Sequence, residues 1–314
     1  MPPGTHALAP MEGVTDAAYR QLWTCRAPKA VAFCVTEFVR VSDRIVPDEL
    51  IRRACPEVAR GGMTTAGVPV LLQLLGGAPA PLAATAQAAI RLGAYGIDLN
   101  FGCPARLVNR HDGGAALLRA PERIERIVAA VRSAVPSERP VSVKIRLGFA
   151  SHDEVVPIAL AAERGGASWL TIHGRTKLEM YGPPADWAAI GTARAALAIA
   201  VIANGDLNSP QSVERCRALS GCTHFMFGRG PMANPWLLLG GGAHDEVPGN
   251  RLLGGLLLEY LELSEAAGNS EERQVARVKQ WLTLAIRVNP ALAPYFDSFK
   301  RTRARAELCR QLVA

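Results

Sequence analysis

The sequence predicts a closed (β/α)8 TIM barrel followed by a small C-terminal all-helical domain. Eight short, nearly unbroken apolar runs alternate with helical patterns, as in a parallel sheet covered on both faces. Eight such repeats in roughly 240 residues suit a closed barrel. Beyond them, 251–314 shows helical periodicity only. An open doubly wound sheet is the competing architecture, but no Gly-x-Gly-x-x-Gly follows the first strand.

The first strand is expected at 6–9, leading into Pro10-Met11-Glu12-Gly13, with Thr15 capping a helix that runs to Cys25. Strands two and three are expected at 31–38 and 68–75, the latter interrupted by Gln73, and a helix follows from Pro81 to Leu92. Tyr95 to Asn100 supplies the fourth strand. Its Ile97 and Leu99 alternate on one side, and it runs into Phe101-Gly102-Cys103-Pro104. A helix over 121–135 precedes the fifth strand at 141–147, where period-two spacing puts Lys144 and Arg146 on one face. Helix 154–164, strand 169–173, helix 187–195, strand 199–203, a helix after Pro210 and strand 223–227 complete the barrel. A Gly- and Pro-rich linker at 240–250 divides the chain into a barrel unit, 1–245, and a helical domain, 246–314. Helices are expected there over 252–266, 270–288 and 291 to the end. The last clusters Lys300, Arg301, Arg303, Arg305 and Arg310, and Trp281 and Tyr295 are expected to pack the domain's core.

Composition narrows the class. The 314 residues carry a net charge of +7, which keeps an anionic partner in view without establishing one. Seven cysteines form no Cys-x-x-Cys pair, and six scattered histidines have no metal-ligand spacing. A reduced, cytoplasmic protein without metal is therefore expected. The uncharged run 61–90 is broken at Gly76-Gly77, Pro79 and Pro81, so it suits strand, loop and helix better than a membrane span. The first ten residues lack a basic region with a long apolar core, so no signal peptide is expected. A monomer is expected.

The strand ends carry the chemistry. A lone cysteine is most often a small buried hydrophobe. Cys103 differs in having Gly before it, Pro after it and Asn three positions back, which gives its side chain a defined direction. The other groups collected at the C-terminal face are Pro10, Met11, Gln73, Asn100, Lys144, Arg146, His173, Asn204, Gly205, Asp206, Gly228 and Arg229. Gln73 and Lys144 interrupt apolar strands; unpaired, each would cost about 1–3 kcal/mol, so they are expected to face a ligand. The loops after strands seven and eight, with Gly205, Gly228 and Arg229, suit a phosphate. Together these groups fit flavin mononucleotide: Gln73 and Lys144 at the ring's polar edge, Met11 on its face, and Cys103 as proton donor. Rival readings are an FMN barrel acting on a small molecule, a lyase using Lys144 as a Schiff base, and a barrel that only binds RNA.

Several segments together resemble the tRNA-dihydrouridine synthases. These are Ala9-Pro10-Met11-Glu12-Gly13-Val14-Thr15-Asp16, Asn100-Phe101-Gly102-Cys103-Pro104, Val143-Lys144-Ile145-Arg146, His173-Gly174-Arg175-Thr176, Ile202-Ala203-Asn204-Gly205-Asp206 and Gly228-Arg229-Gly230. The segments 36–41 and 275–282 resemble the C-type enzymes, which modify uridine 16. One departure is Ala105-Arg106, where a lysine often follows the Cys-Pro pair. The resemblance implies FMN-dependent reduction of the C5–C6 bond of a D-loop uridine in tRNA, with NADPH supplying electrons. It assigns Cys103 as general acid and adds Glu12 to the cofactor set. Asn100 and Arg146 would serve the uracil, and Arg40, Arg277 and Lys279 would hold tRNA phosphates.

Overall fold

The computed structural model describes residues 5–105, 113–182, 184–240 and 250–313. Its strands are β1 (His6–Leu8), β2 (Phe33–Val35), β3 (Val39–Arg40), β4 (Val70–Leu75), β5 (Gly96–Asn100), β6 (Val141–Arg146), β7 (Trp169–His173), β8 (Ala200–Asn204) and β9 (His224–Phe227). All pairings among them are parallel. β1 pairs with both β2 and β9, and β2 with β4, so eight strands close a ring, with β3 a two-residue addition beside the end of β4. The expected second strand is thus split. At the break the Thr36 hydroxyl accepts the Gln73 N–H at 3.0 Å, a bond that a side chain makes in place of the ladder.

Helices α1 (Ala17–Arg26), α2 (Asp48–Ala54), α3 (Pro79–Arg91), α4 (Pro121–Ala134), α5 (Val155–Arg164), α6 (Trp187–Ala195) and α7 (Pro210–Ser220) surround the ring. Pro79, Pro121 and Pro210 open their helices, where a missing N–H is harmless. Asp16, not Thr15, caps α1, accepting the Tyr19 N–H at 3.0 Å. The Thr15 hydroxyl instead accepts the Met11 N–H at 2.8 Å and closes the turn that carries Met11.

Strand alternation divides each strand between two environments. Ile97 and Leu99 are fully buried in the layer between sheet and helices. Asp98 and Asn100 point to the barrel axis, where Ala7, Phe33, Val35, Leu71, Ile202 and Met226 form a separate apolar plug.

Two short helices, α8 (Gly230–Ala233) and α9 (Trp236–Leu239), lead out of the barrel. The expected boundary at 245/246 lies outside the described residues. α10 (Asn250–Ala266) and α11 (Glu271–Ile286) then pack back on the barrel. The Tyr260 hydroxyl donates to Asp16 at 3.0 Å, and the Trp281 indole donates to the Met232 carbonyl at 3.1 Å. Trp281 sits among Tyr19, Trp23 and Tyr260, at ring distances of 5.1, 6.2 and 5.9 Å. The expected last helix is two, α12 (Ala293–Asp297) and α13 (Arg305–Val313). Lys300, Arg301 and Arg303 fall between them rather than on one helical face. Among the described residues no helix is long and apolar enough to cross a membrane.

Candidate active site

At the C-terminal ends of the strands lies a cavity of about 460 Å³, within the range of small-molecule and cofactor sites. Pro10, Met11 and Glu12 line it from the β1 turn; Asn100, Gly102 and Cys103 from β5; Lys144 and Arg146 from β6. His173, Asn204, Gly205, Asp206, Gly228 and Arg229 complete its far side. Of the expected barrel residues, Gln73 and Arg40 alone do not line it.

Cys103 is held from behind. The Asn100 side-chain carbonyl accepts the backbone N–H groups of Gly102 and Cys103 at 3.0 and 2.9 Å. Arg146 Nε donates to the Gly102 carbonyl at 2.8 Å. A Cβ on Gly102 would come no nearer than 3.4 Å to its neighbours, and the residue lines the cavity. Glycine here leaves a bare backbone facing the cavity rather than relieving strain. Burial pushes the Cys103 thiol above its ordinary pKa, so it keeps its proton at neutral pH.

Asn100, Arg146 and Gln73 are each also engaged by partners within the protein. Asn100 spends its carbonyl on the turn and donates Nδ2 to Gln73 at 2.8 Å. Arg146 also donates to the Thr176 and Met180 carbonyls at 3.0 and 2.7 Å, bracing the loop after β7. Gln73 is fully buried below the floor, with its amide engaged by Asp98 at 2.7 Å and by Asn100. It reaches the cavity through Asn100 because it stands one step lower on the barrel axis.

Lys144 donates to the Asn204 carbonyl oxygen at 3.0 Å, and Asn204 in turn donates to the Met226 carbonyl at 2.8 Å. Burial, with Arg146 alongside, brings the Lys144 ammonium down to about 8. Burial and the cations Arg146, Lys144, Arg175 and Arg229 push His173 well below its usual pKa, so its ring is neutral at pH 7. His173 Nδ1 is buried and has no hydrogen-bond partner among the described residues. Beyond it, Asp206 accepts from Arg175 at 2.5 Å and lies 3.9 Å from Arg229. Gly205 and Asp206 both have positive φ, +113° and +54°, and this reverses the chain at the cavity wall. Among the described residues the lining cations Lys144, Arg146, Arg229 and Arg287 face two carboxylates, Glu12 and Asp206, so this part of the wall favours an anion.

The α11 residues divide by where their side chains lie. Lys279 donates to the Thr302 carbonyl and is a strut within the helical bundle. Arg277 lies 3.5 Å from Glu37 and against Gly13, at the joint with the barrel. Arg40 is exposed and outside the cavity. Gln280, Leu284 and Arg287 line the cavity instead. Their spacing from Arg277, at i+3, i+7 and i+10, is a helical stripe that periodicity would have found. Tyr181 was also missed; its ring lies between Arg146 and Arg229, at 5.4 and 5.7 Å.

Comparison with known proteins agrees with this geometry. Residues 7–309 match the family described as Dihydrouridine synthase (Dus). The chain is 41% identical over 307 residues to the tRNA-dihydrouridine(16) synthase of Shewanella oneidensis, covering 97% of this chain and 96% of that one. It is 42% identical over 309 residues to the protein of that name from Salmonella typhimurium, covering 98% of each. The Escherichia coli protein of that name is 44% identical over 278 residues, covering 88% of this chain and 87% of its own. Among solved structures, 2-naphthoyl-CoA reductase superposes with a TM-score of 0.56 at 13% identity, over 95% of this chain and 57% of that one. Histamine dehydrogenase from Rhizobium gives 0.53 at 14%, over 74% and 44%. These two likenesses speak for the barrel alone. With a family match spanning nearly the whole sequence and full-length relatives above 40% identity, the chain belongs to the dihydrouridine synthase family.

Proposed function

We propose that this protein reduces the C5–C6 bond of uridine 16 in the tRNA D-loop, with FMN as bound cofactor and NADPH as electron donor, acting as a cytoplasmic monomer. The observation that carries the reading is a thiol, Cys103, fixed at the wall of a cation-lined cavity; burial favours its protonated form. The full-length relatives carry the name tRNA-dihydrouridine(16) synthase, which supports both the substrate and the position.

The residues present fit FMN. Arg229, with the backbone at Gly205 and Gly228, would hold its phosphate; Lys144 and the unpartnered His173 would hold polar edges; Pro10, Met11 and Glu12 would wall the ring. Asn204 sets the direction of Lys144, and Asp206 that of Arg229. Bound there, the flavin would supply, when reduced, the hydride for uracil C6. Cys103 gives its proton to C5, so the base gains two hydrogens and the thiol leaves as thiolate, to be reprotonated from solvent. Arg146, a buried cation beside the Cys103 turn, stabilises the negative charge that develops on the ring. Gln280, Leu284 and Arg287 extend the wall beyond what a small substrate needs, which favours a nucleotide turned out of a folded RNA.

The test is reduction of tRNA transcripts by the purified protein with NADPH, read as dihydrouridine by mass spectrometry. Product is expected with uridine at position 16 and none when that position is cytidine. Equal product from both transcripts would refute the assignment of position, and no product from either would refute the activity.

A further inference from the structure

We propose that Asp98 is a positioning residue for this reaction, setting the direction of the Cys103 turn through a relay of two amides, Gln73 and Asn100. The proposal rests on the reading of Cys103 as proton donor. Asp98 is buried on the barrel axis and does not itself line the cavity; its charge also acts on Lys144, but its hydrogen bonds run to Gln73 and Ser142.

The relay follows from what each end can do. Asp98 Oδ2 faces Gln73 Nε2 at 2.7 Å and accepts from it, the remaining oxygen being the one that meets the Ser142 hydroxyl. Gln73 must therefore turn its Oε1 the other way, where it accepts from Asn100 Nδ2 at 2.8 Å. Asn100 is then obliged to present its carbonyl to the Gly102 and Cys103 N–H groups, at 3.0 and 2.9 Å. Those N–H groups can only donate. An acceptor at one end and donors at the other leave the two amides a single arrangement. Ser142 donates to the remaining Asp98 oxygen at 2.6 Å, and a hydroxyl can also reverse this bond, so the relay survives a change in the proton count of Asp98. Without a polarised end, either amide could flip and set Nδ2 against two donors. Leaving such buried groups unpaired is costly.

The relay can be run backwards. N100D puts an acceptor against Gln73, which then meets an acceptor whichever way it turns. D98N/N100D restores every bond in reverse: residue 98 donates to Gln73, Gln73 donates to residue 100, and residue 100 still accepts from the turn. D98A/N100D removes the same charge but offers no amide. The first readout is alkylation of Cys103 by iodoacetamide against pH without tRNA, followed on its own peptide; the second is kcat and KM for tRNA. Parent and D98N are expected within about tenfold of each other in alkylation rate, because an asparagine oxygen can still accept from Gln73. N100D is expected to shift the alkylation profile and to lower kcat about tenfold or more, with KM little changed. D98N/N100D should recover most of both losses and D98A/N100D neither. A double variant no better than N100D, or equal recovery in D98A/N100D, overturns the relay. Should N100D fail to fold, the two double variants carry the same comparison. A failed transcript reduction by the parent, with the alkylation pattern intact, would count against the activity and leave the positioning role standing.

Discussion

Two arcs of the barrel interior differ in kind. The arc from β8 through β1 to β2 is apolar, with Ile202, Met226, Ala7 and Phe33 packed as one plug. The arc from β4 to β7 is polar, with Gln73, Asp98, Asn100, Ser142, Lys144 and Arg146 on the axis, bonded to one another, to the Asn204 side chain or to backbone. Both arcs fill the same space, but only the polar one fixes directions, since hydrogen bonds are directional and dispersion contacts are not. A polar interior is costly unless satisfied, and here the bonds lead toward Cys103, toward Lys144 or, from Arg146, to the loop after β7.

The largest separation of the two arcs is expected from Cys103→Ala. Losing a general acid typically lowers the rate 10²–10⁴-fold. Flavin content, NADPH-driven flavin reduction and melting temperature should stay at parent values; single-turnover dihydrouridine formation measures the difference. The parent's pH profile gives the same answer in another way. Burial raises the Cys103 pKa, so the acid form persists past the ordinary thiol value of about 8.5, and kcat should fall only above that pH. A rate that climbs with pH through this range would mean that the thiolate is the working form.

Phe33→Ala should do the opposite. Phe33 is buried against Trp169, with ring centroids 5.4 Å apart, and truncating it should cost about 3–5 kcal/mol of stability in chemical denaturation. The rate per folded molecule should remain that of the parent. A chemical defect at full stability would show that the plug also sets directions.

Lys144→Ala should weaken flavin retention about ten- to a hundredfold, as expected for one charge-assisted bond of about 1.5–3 kcal/mol. Equilibrium dialysis of flavin decides it, and undiminished affinity would place the cofactor elsewhere.

The smallest expected effect separates the two faces of α11. Arg287→Ala should lower the slope of log K against log salt for tRNA by about 0.7, one phosphate contact on a single strand. Lys279→Ala should leave that slope alone, because its ammonium is committed to the Thr302 carbonyl. Equal slopes for both variants and parent would remove α11 from the RNA site.

The apolar arc and the strand count were legible in the sequence because both rest on local periodicity. The shared face of Lys144 and Arg146 and the singular turn around Cys103 were legible for the same reason. The polar arc was not, because its bonds join residues 25 to 60 positions apart, as in Gln73–Asp98 and Lys144–Asn204. The sequence marked Gln73 as a misplaced polar group but not its satisfaction by Asp98. On α11, Arg277 and Lys279 drew attention by charge, whereas the helical stripe assigns the wall to Gln280, Leu284 and Arg287.

The aromatic joint of Tyr19, Trp23, Tyr260 and Trp281 makes the cavity a depth gauge. It fastens α11, which bears Arg287, to α1, whose neighbouring turn bears Met11. The place of the outer cation at the cavity wall is therefore written into packed side chains. For the RNA substrate proposed above, a base carried on too short or too long a reach would leave its C5 short of Cys103 or beyond it. Choice among neighbouring uridines then becomes a measurement of length, made by a scale whose divisions are indole and phenol rings.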